Sequence, residues 1–97
     1  MEKCKFSKLG KLILSSNIIK DISVLEKVSF KELKELDLKY NNISDISVLE
    51  KAKFPKLKYL YLSHNEMSNI NVLEKVNFKY LNSLNLIDND KILNIKL

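Results

Sequence analysis

Leucines and polar residues alternate along three short stretches of this chain. Leu36 and Leu38 stand between Glu35, Asp37 and Lys39, and the same alternation returns at Leu60/Leu62 and at Leu84/Leu86. A period of two is that of a strand with one buried face. Between these stretches, Ser23 and Glu26, Ser47 and Glu50, and Asn71 and Glu74 have the spacing of a capping box, which predicts the start of a short helix each time. Val24, Leu25 and Val28, and likewise Val72, Leu73 and Val76, form apolar stripes at helical spacing. Pro55 follows Phe54, where a helix can end without losing an internal bond.

The alternation is one part of a longer period. Asn17, Asn41, Asn65 and Asn89 are each 24 residues apart, as are Leu12, Leu36, Leu60 and Leu84, and Phe6, Phe30, Phe54 and Phe78. Complete units run over residues 9–32, 33–56 and 57–80, with a shortened one from 81 onward. Each opens L-x-x-L-x-L-x-x-N, and the complete units continue N-x-I-x-x-I, with Met67 in place of one Ile; after Asn89 the register slips by one, so that Ile92 and Ile95 restore the apolar columns. Self-similarity at a fixed period signals stacked repeats, in which no unit buries its apolar face alone.

These units resemble the leucine-rich repeat family, in its short-repeat class that includes internalins and cytoplasmic phosphatase regulators. The resemblance covers almost the whole chain and implies an α/β fold. That fold is a right-handed solenoid with a parallel β-sheet on the concave face and short helices on the convex face. One domain over residues 1–97, of about four turns and without obvious caps, is expected. Ile19, Ile22, Ile43, Ile46, Met67 and Ile70 are expected to fill the interior, and the Phe residues to stack as a spine behind the sheet. Cys4 falls in the column of Val28, Ala52 and Val76, so it reads as a small core residue.

Composition narrows the functional classes. The chain has 97 residues, 45% hydrophobic and 30% charged, with one Cys. A disulfide framework and a multi-thiolate metal site are excluded. No apolar run is long enough for a membrane span, and residues 1–11 lack the apolar centre of a signal peptide. A cytoplasmic protein without membrane association is expected. The net charge of +5 comes from Lys alone, spread along the chain and interleaved with Glu and Asp. Without Arg, the residue that forks onto phosphates and guanine edges, nucleic acid is an unlikely partner.

Catalysis has little to stand on. His64 is the only His; Ser63 precedes it on a strand-exit segment where neighbours point apart, and Asp88 shares its column one turn later. No glycine-rich loop offers an oxyanion hole, and the residues after Asn89 lack calcium-loop spacing. No enzyme activity, metal or cofactor is expected. The column Asn17, Asn41, Asn65 and Asn89 reads as a structural ladder that pairs backbone groups at an inner corner.

The columns that change from turn to turn are the ones the resemblance places on the concave face. Their candidate partner-binding residues are Glu35, Asp37, Lys39, Tyr40, Tyr59, Tyr61, His64, Asn85 and Ile87. Tyr40, Tyr59, Tyr61 and His64 are expected to form one contiguous patch with a charged rim that includes Lys11, the pattern of a protein-binding hot spot. A non-enzymatic module binding a protein or peptide on this face is the first reading. A self-assembling unit that stacks through open ends is the second: Cys4, Phe6 and Leu9 at one end, and Leu84, Leu86, Ile92 and Ile95 at the other, have no covering turn in sequence. A piece of a longer solenoid is the remaining alternative.

Overall fold

The computed structural model describes residues 8–76 and 78–89. Cys4, Phe6, Ile92 and Ile95 lie outside the described residues. Four three-residue strands, β1 (Lys11–Ile13), β2 (Glu35–Asp37), β3 (Tyr59–Tyr61) and β4 (Ser83–Asn85), form a parallel sheet in chain order. The register follows the 24-residue period: Leu12 pairs with Leu36, Leu36 with Leu60, and Leu60 with Leu84. Backbone bonds continue the ladder past the strands, from Leu38 N–H to the Tyr61 carbonyl and from Leu62 N–H to the Asn85 carbonyl, both at 2.9 Å.

Alternation places the leucines inward. Leu36, Leu38, Leu60 and Leu62 are fully buried, together with Leu33, Leu57, Ile43, Ile46 and Met67. Each buried Leu of this kind stabilises by about 1.5–3 kcal/mol relative to exposure. Leu84 is 39% exposed, because β4 has a paired neighbour on one side only among the described residues. Phe30 and Phe54 stack behind the sheet with centroids 5.4 Å apart, and Phe78 packs half-buried against the same core. Ile19 and Ile70 are half-buried rather than fully interior.

The return limb departs from the capping-box expectation. Residues Ser23–Lys27 and Ser47–Glu50 form 3-10 turns, and only α1 (Val72–Lys75) is α-helical. No side chain caps them at the N-cap position, which Ile22 and Ile46 occupy in the first two turns. Burial of Ile22 and Ile46 fixes the chain there, so Ser23 and Ser47 become the first helical residues instead of the caps. The free amides are satisfied from two residues back. Asp21 Oδ1 accepts from Ser23 N–H at 2.8 Å, Asp45 Oδ1 from Ser47 N–H at 2.9 Å, and Asn69 Oδ1 from Asn71 N–H at 2.9 Å. These are Asx turns, in which a short side chain imitates a backbone acceptor. The helical stripe also changes: Val24 is exposed, and Ile22, Leu25 and Val28 line up instead. A 3-10 turn has three residues per turn, so positions three apart share a face.

Candidate functional site

The sheet's outward face is built on an asparagine column. Asn65 donates from Nδ2 to the carbonyls of Leu38 (3.0 Å), Leu62 (3.1 Å) and Ser63 (3.2 Å), and its Oδ1 accepts from Ile43 N–H at 3.0 Å. Asn41 and Asn89 repeat the arrangement, accepting from the amides of Ile19 and Met67 and donating to carbonyls of their own and the preceding turn. Asn17 is exposed and, among the described residues, bonds only Leu14 and Ser15 of its own turn. Among the described residues, no buried side-chain nitrogen or oxygen lacks a partner.

The residue before each asparagine takes the left-handed conformation: Ser16, Tyr40, His64 and Asp88 have φ between 55° and 59°. None is glycine, so each turn carries local strain at this corner. Three of them, Tyr40, His64 and Asp88, touch along the column. The rings of Tyr40 and His64 stack with centroids 4.1 Å apart and planes 6° apart, and His64 Nε2 lies 3.2 Å from Asp88 Oδ2. Their alignment follows from equal backbone conformation in adjacent turns.

A second ring pair lies on β3. Tyr59 and Tyr61 point to one side of the strand, centroids 6.4 Å apart and planes 8° apart. The four rings form two stacked pairs. Lys39 stands beside the β3 pair: its Nζ lies 5.6 Å from the Tyr61 centroid and pairs with Asp37 Oδ2. Asp37 is 4% exposed and also accepts the Lys39 backbone N–H on Oδ1, so it is a support beneath Lys39 and not a rim charge. The hydrogen bond that the Lys39 ammonium donates to Asp37 raises it above the usual lysine range, desolvation opposes this, and the charges of Asp37, Tyr61 and Glu35 add to the rise. Asn85 Oδ1 accepts the Ile87 N–H at 3.1 Å, the role Asp37 has in the same column two turns earlier. Tyr40 and Ile87 are exposed; Glu35, Tyr59, Tyr61 and His64 are half-buried.

Two further side-chain links are visible only in the fold. Lys56 Nζ bonds both carboxylate oxygens of Glu32, and Asn42 Nδ2 donates to Glu66 Oε2 at 2.8 Å. Both span 24 residues, so complementary polar residues in one column were the available signal. Ser63 is buried beside half-buried His64, and no hydrogen bond joins them among the described residues. Among the described residues, no group of three His, Cys, Asp or Glu can hold a metal ion, and no helix is long and apolar enough to cross a membrane.

Stacked turns, each a short strand and a helical return joined by an asparagine-bonded corner, define a leucine-rich repeat solenoid. The leucine rich repeat family model matches residues 7–67, and the chain belongs to that family. No curated protein matches the sequence. Among 24 solved chains of similar fold is an internalin from Listeria monocytogenes, 25% identical with a TM-score of 0.55. The match covers 82% of this chain and 28% of that one, so the chain spans little more than a quarter of the internalin. The fold is the right-handed solenoid, with the sheet concave and the short helices convex. Family and likeness support a protein–protein interaction module in general terms, a class that is typically non-enzymatic.

Proposed function

We propose that the chain binds a protein or peptide on its concave face, through Glu35, Lys39, Tyr40, Tyr59, Tyr61 and His64, without catalysis. One contrast carries this reading. The framework columns repeat Leu, Ile and Asn from turn to turn and are buried for the most part in the two central turns. The outward columns change at every turn and bring two ring pairs and a supported lysine to the surface. Large, stiff aromatic surfaces beside charge are what binding hot spots are made of.

A displayed peptide library selected on the parent chain tests it. Selected peptides are expected to lose at least about tenfold in affinity to a Tyr59→Ala/Tyr61→Ala variant, the scale of a hot-spot loss. A return-limb variant such as Val24→Ser/Lys75→Ser should bind them as the parent does. Peptides that tolerate the tyrosine variant and fail on the return-limb variant would place binding on the convex side. Binding that collapses with salt and ignores both variants would indicate a charge-driven polyanion partner instead.

A further inference from the structure

The positive charge of the chain is not spread evenly over the fold. Lysines and acids are interleaved along the sequence, but the 24-residue period sorts them in space. Four segments lead into the strands: residues 8–10, 29–34, 53–58 and 78–82. Together they hold seven lysines and one acid, Glu32. The segments that leave the strands, residues 15–22, 39–46, 63–70 and 87–89, hold two lysines and four acids. The return limb is balanced, because Glu26, Glu50 and Glu74 each precede a lysine. Among the described residues, the excess of positive charge therefore comes from one flank of the solenoid.

That flank is one continuous surface. Lys34 N–H bonds the Gly10 carbonyl, Lys58 N–H the Lys34 carbonyl and Asn82 N–H the Lys58 carbonyl, each at 2.8 Å, so the four segments stand in register. Lys8, Lys31 and Lys34 line one open recess with Gly10, where a Cβ would meet nothing within 4 Å. Glu32 lines it too, but Lys56 bonds both of its carboxylate oxygens. That pairing leaves Lys8, Lys31, Lys34, Lys53, Lys58 and Lys79 without an ion pair among the described residues. All are exposed except Lys58, which is half-buried. Unpaired ammonium groups gathered on one side raise the local concentration of anions.

We infer that this flank is a second interaction surface, which takes a short acidic segment of a partner protein. Lysine is a point charge on a flexible stem, so it reads the density of negative charge rather than a fixed outline. Four turns about 4.8 Å apart span about 14 Å, the length of about four extended residues. The same distance covers less than half of the roughly 34 Å helical turn of a nucleic-acid duplex. Tyr80, with Lys79 beside its ring, is the one large exposed hydrophobic side chain on the flank among the described residues. Sequence-tolerant binding of a single strand relies on rows of rings that stack its bases, and an interfacial membrane site on apolar side chains that enter the lipid; one ring at one end supplies neither. A second copy of this chain fits less well, because the acids of its opposite flank are engaged: Asp21 and Asp45 with the Ser23 and Ser47 amides, Glu66 with Asn42, and Asp88 with His64. The inference goes beyond the concave-face reading and shares no residue with it.

The test titrates capped pentaglutamate, and a capped glycine–serine pentapeptide as control, into the whole isotope-labelled chain at fixed low ionic strength, and follows the backbone amides by NMR. Saturable shifts centred on residues 31–34 and 53–58 are expected with pentaglutamate and none with the control. Lys31→Gln/Lys34→Gln/Lys58→Gln should weaken the binding about tenfold, whereas Lys27→Gln/Lys51→Gln/Lys75→Gln, with the same change in net charge, should weaken it at most about twofold. Tyr59→Ala/Tyr61→Ala should bind pentaglutamate as the parent does, which separates this surface from the concave face. No saturable shift, shifts centred on the strands or the return limb, or equal losses in the two lysine variants overturn the inference. Tighter binding through the same lysines of a five-nucleotide oligothymidylate, or of phosphatidylserine vesicles, overturns the choice of partner.

Discussion

Replacing Asn65 with alanine tests how the turns are joined. The side chain reaches four backbone groups, but these do not suffer equally when it is cut back. The Leu38 carbonyl keeps Asn41 Nδ2, the Leu62 carbonyl keeps Asn89 Nδ2, and the Ser63 carbonyl keeps the Tyr40 N–H. The Ile43 N–H has Asn65 Oδ1 as its acceptor and Ile43 is fully buried, so this donor alone is stranded. A stranded buried amide costs about 1–3 kcal/mol, and the weakened acceptors add about 0.5–1.5 kcal/mol. The expected loss is about 2–4 kcal/mol, at roughly 4–8 °C of melting temperature per kcal/mol for a chain of this size. Thermal and urea melts by circular dichroism measure the total, and hydrogen exchange at Ile43 N–H reports the stranded donor directly. Asn17→Ala is the control: it breaks only bonds within its own exposed turn and should cost under about 1 kcal/mol. If Asn65→Ala costs no more than Asn17→Ala, or Ile43 exchange is unchanged, the column does not carry the joint between turns.

Leu60→Ala should cost about 2–5 kcal/mol by chemical denaturation, because Leu60 is fully buried at the centre of the sheet; a cost no greater than that of Tyr59→Ala would contradict the inward and outward assignment of β3. Ser16→Gly should be neutral or stabilising by up to about 1 kcal/mol, since Ser16 holds φ 59° with no stacked ring, whereas Ser16→Val should destabilise measurably. Asp21 and Asp45 are held below the usual carboxylate range, first by the Ser23 and Ser47 backbone amides, then by the hydroxyls of those serines, with burial opposing. A folded value below the unfolded one gives stability that is present above the ordinary aspartate range and lost as the pH falls through the lowered folded values. Acid titration of the melting temperature should show this loss in the parent and a shallower one in Asp21→Asn/Asp45→Asn, which keeps an Asx acceptor as Asn69 does; identical profiles would remove these turns from the acid response.

Strand register was legible because identical residues mark it: Leu36 over Leu60 over Leu84 leaves no other alignment in which every leucine points inward. The ends of the return limb were not legible in the same way. The serine–glutamate spacing satisfies the capping-box pattern, yet buried Ile22 and Ile46 decide where the helical turn begins, and tertiary burial outweighs a local cap. The helical type was not legible either: Ile22, Leu25 and Val28 have the same spacing as Ile70, Leu73 and Val76, yet the first return is a 3-10 turn and the last is α-helical. On the face, the residues assigned to the concave columns stand on the strands and at their corner, but their grouping depended on rotamers. Tyr61 faces Tyr59 and Lys39, and Tyr40 faces His64, a division that column positions alone do not specify.

The framework and the variable face are mechanically linked at the corner. Tyr40, His64 and Asp88 each sit one residue before a laddered asparagine, in a backbone conformation that unsupported residues of these types rarely hold. The asparagine bonds the carbonyls three residues back and one turn back, and so fixes the corner from both sides. The strain at Tyr40 and His64 is thus offset by bonds that do not depend on the identity of the strained side chain. That independence lets the column carry serine, tyrosine, histidine and aspartate in succession without altering the turn. It also sets the stacked pair of Tyr40 and His64 before any ligand arrives, since two equal corners one turn apart leave their rings parallel and in contact. Contacts ordered in advance cost little entropy on binding, which favours affinity from a small face. Loosening the Asn65 corner should therefore disturb the His64 ring before it disturbs Tyr59 or Tyr61, whose orientation is set by β3.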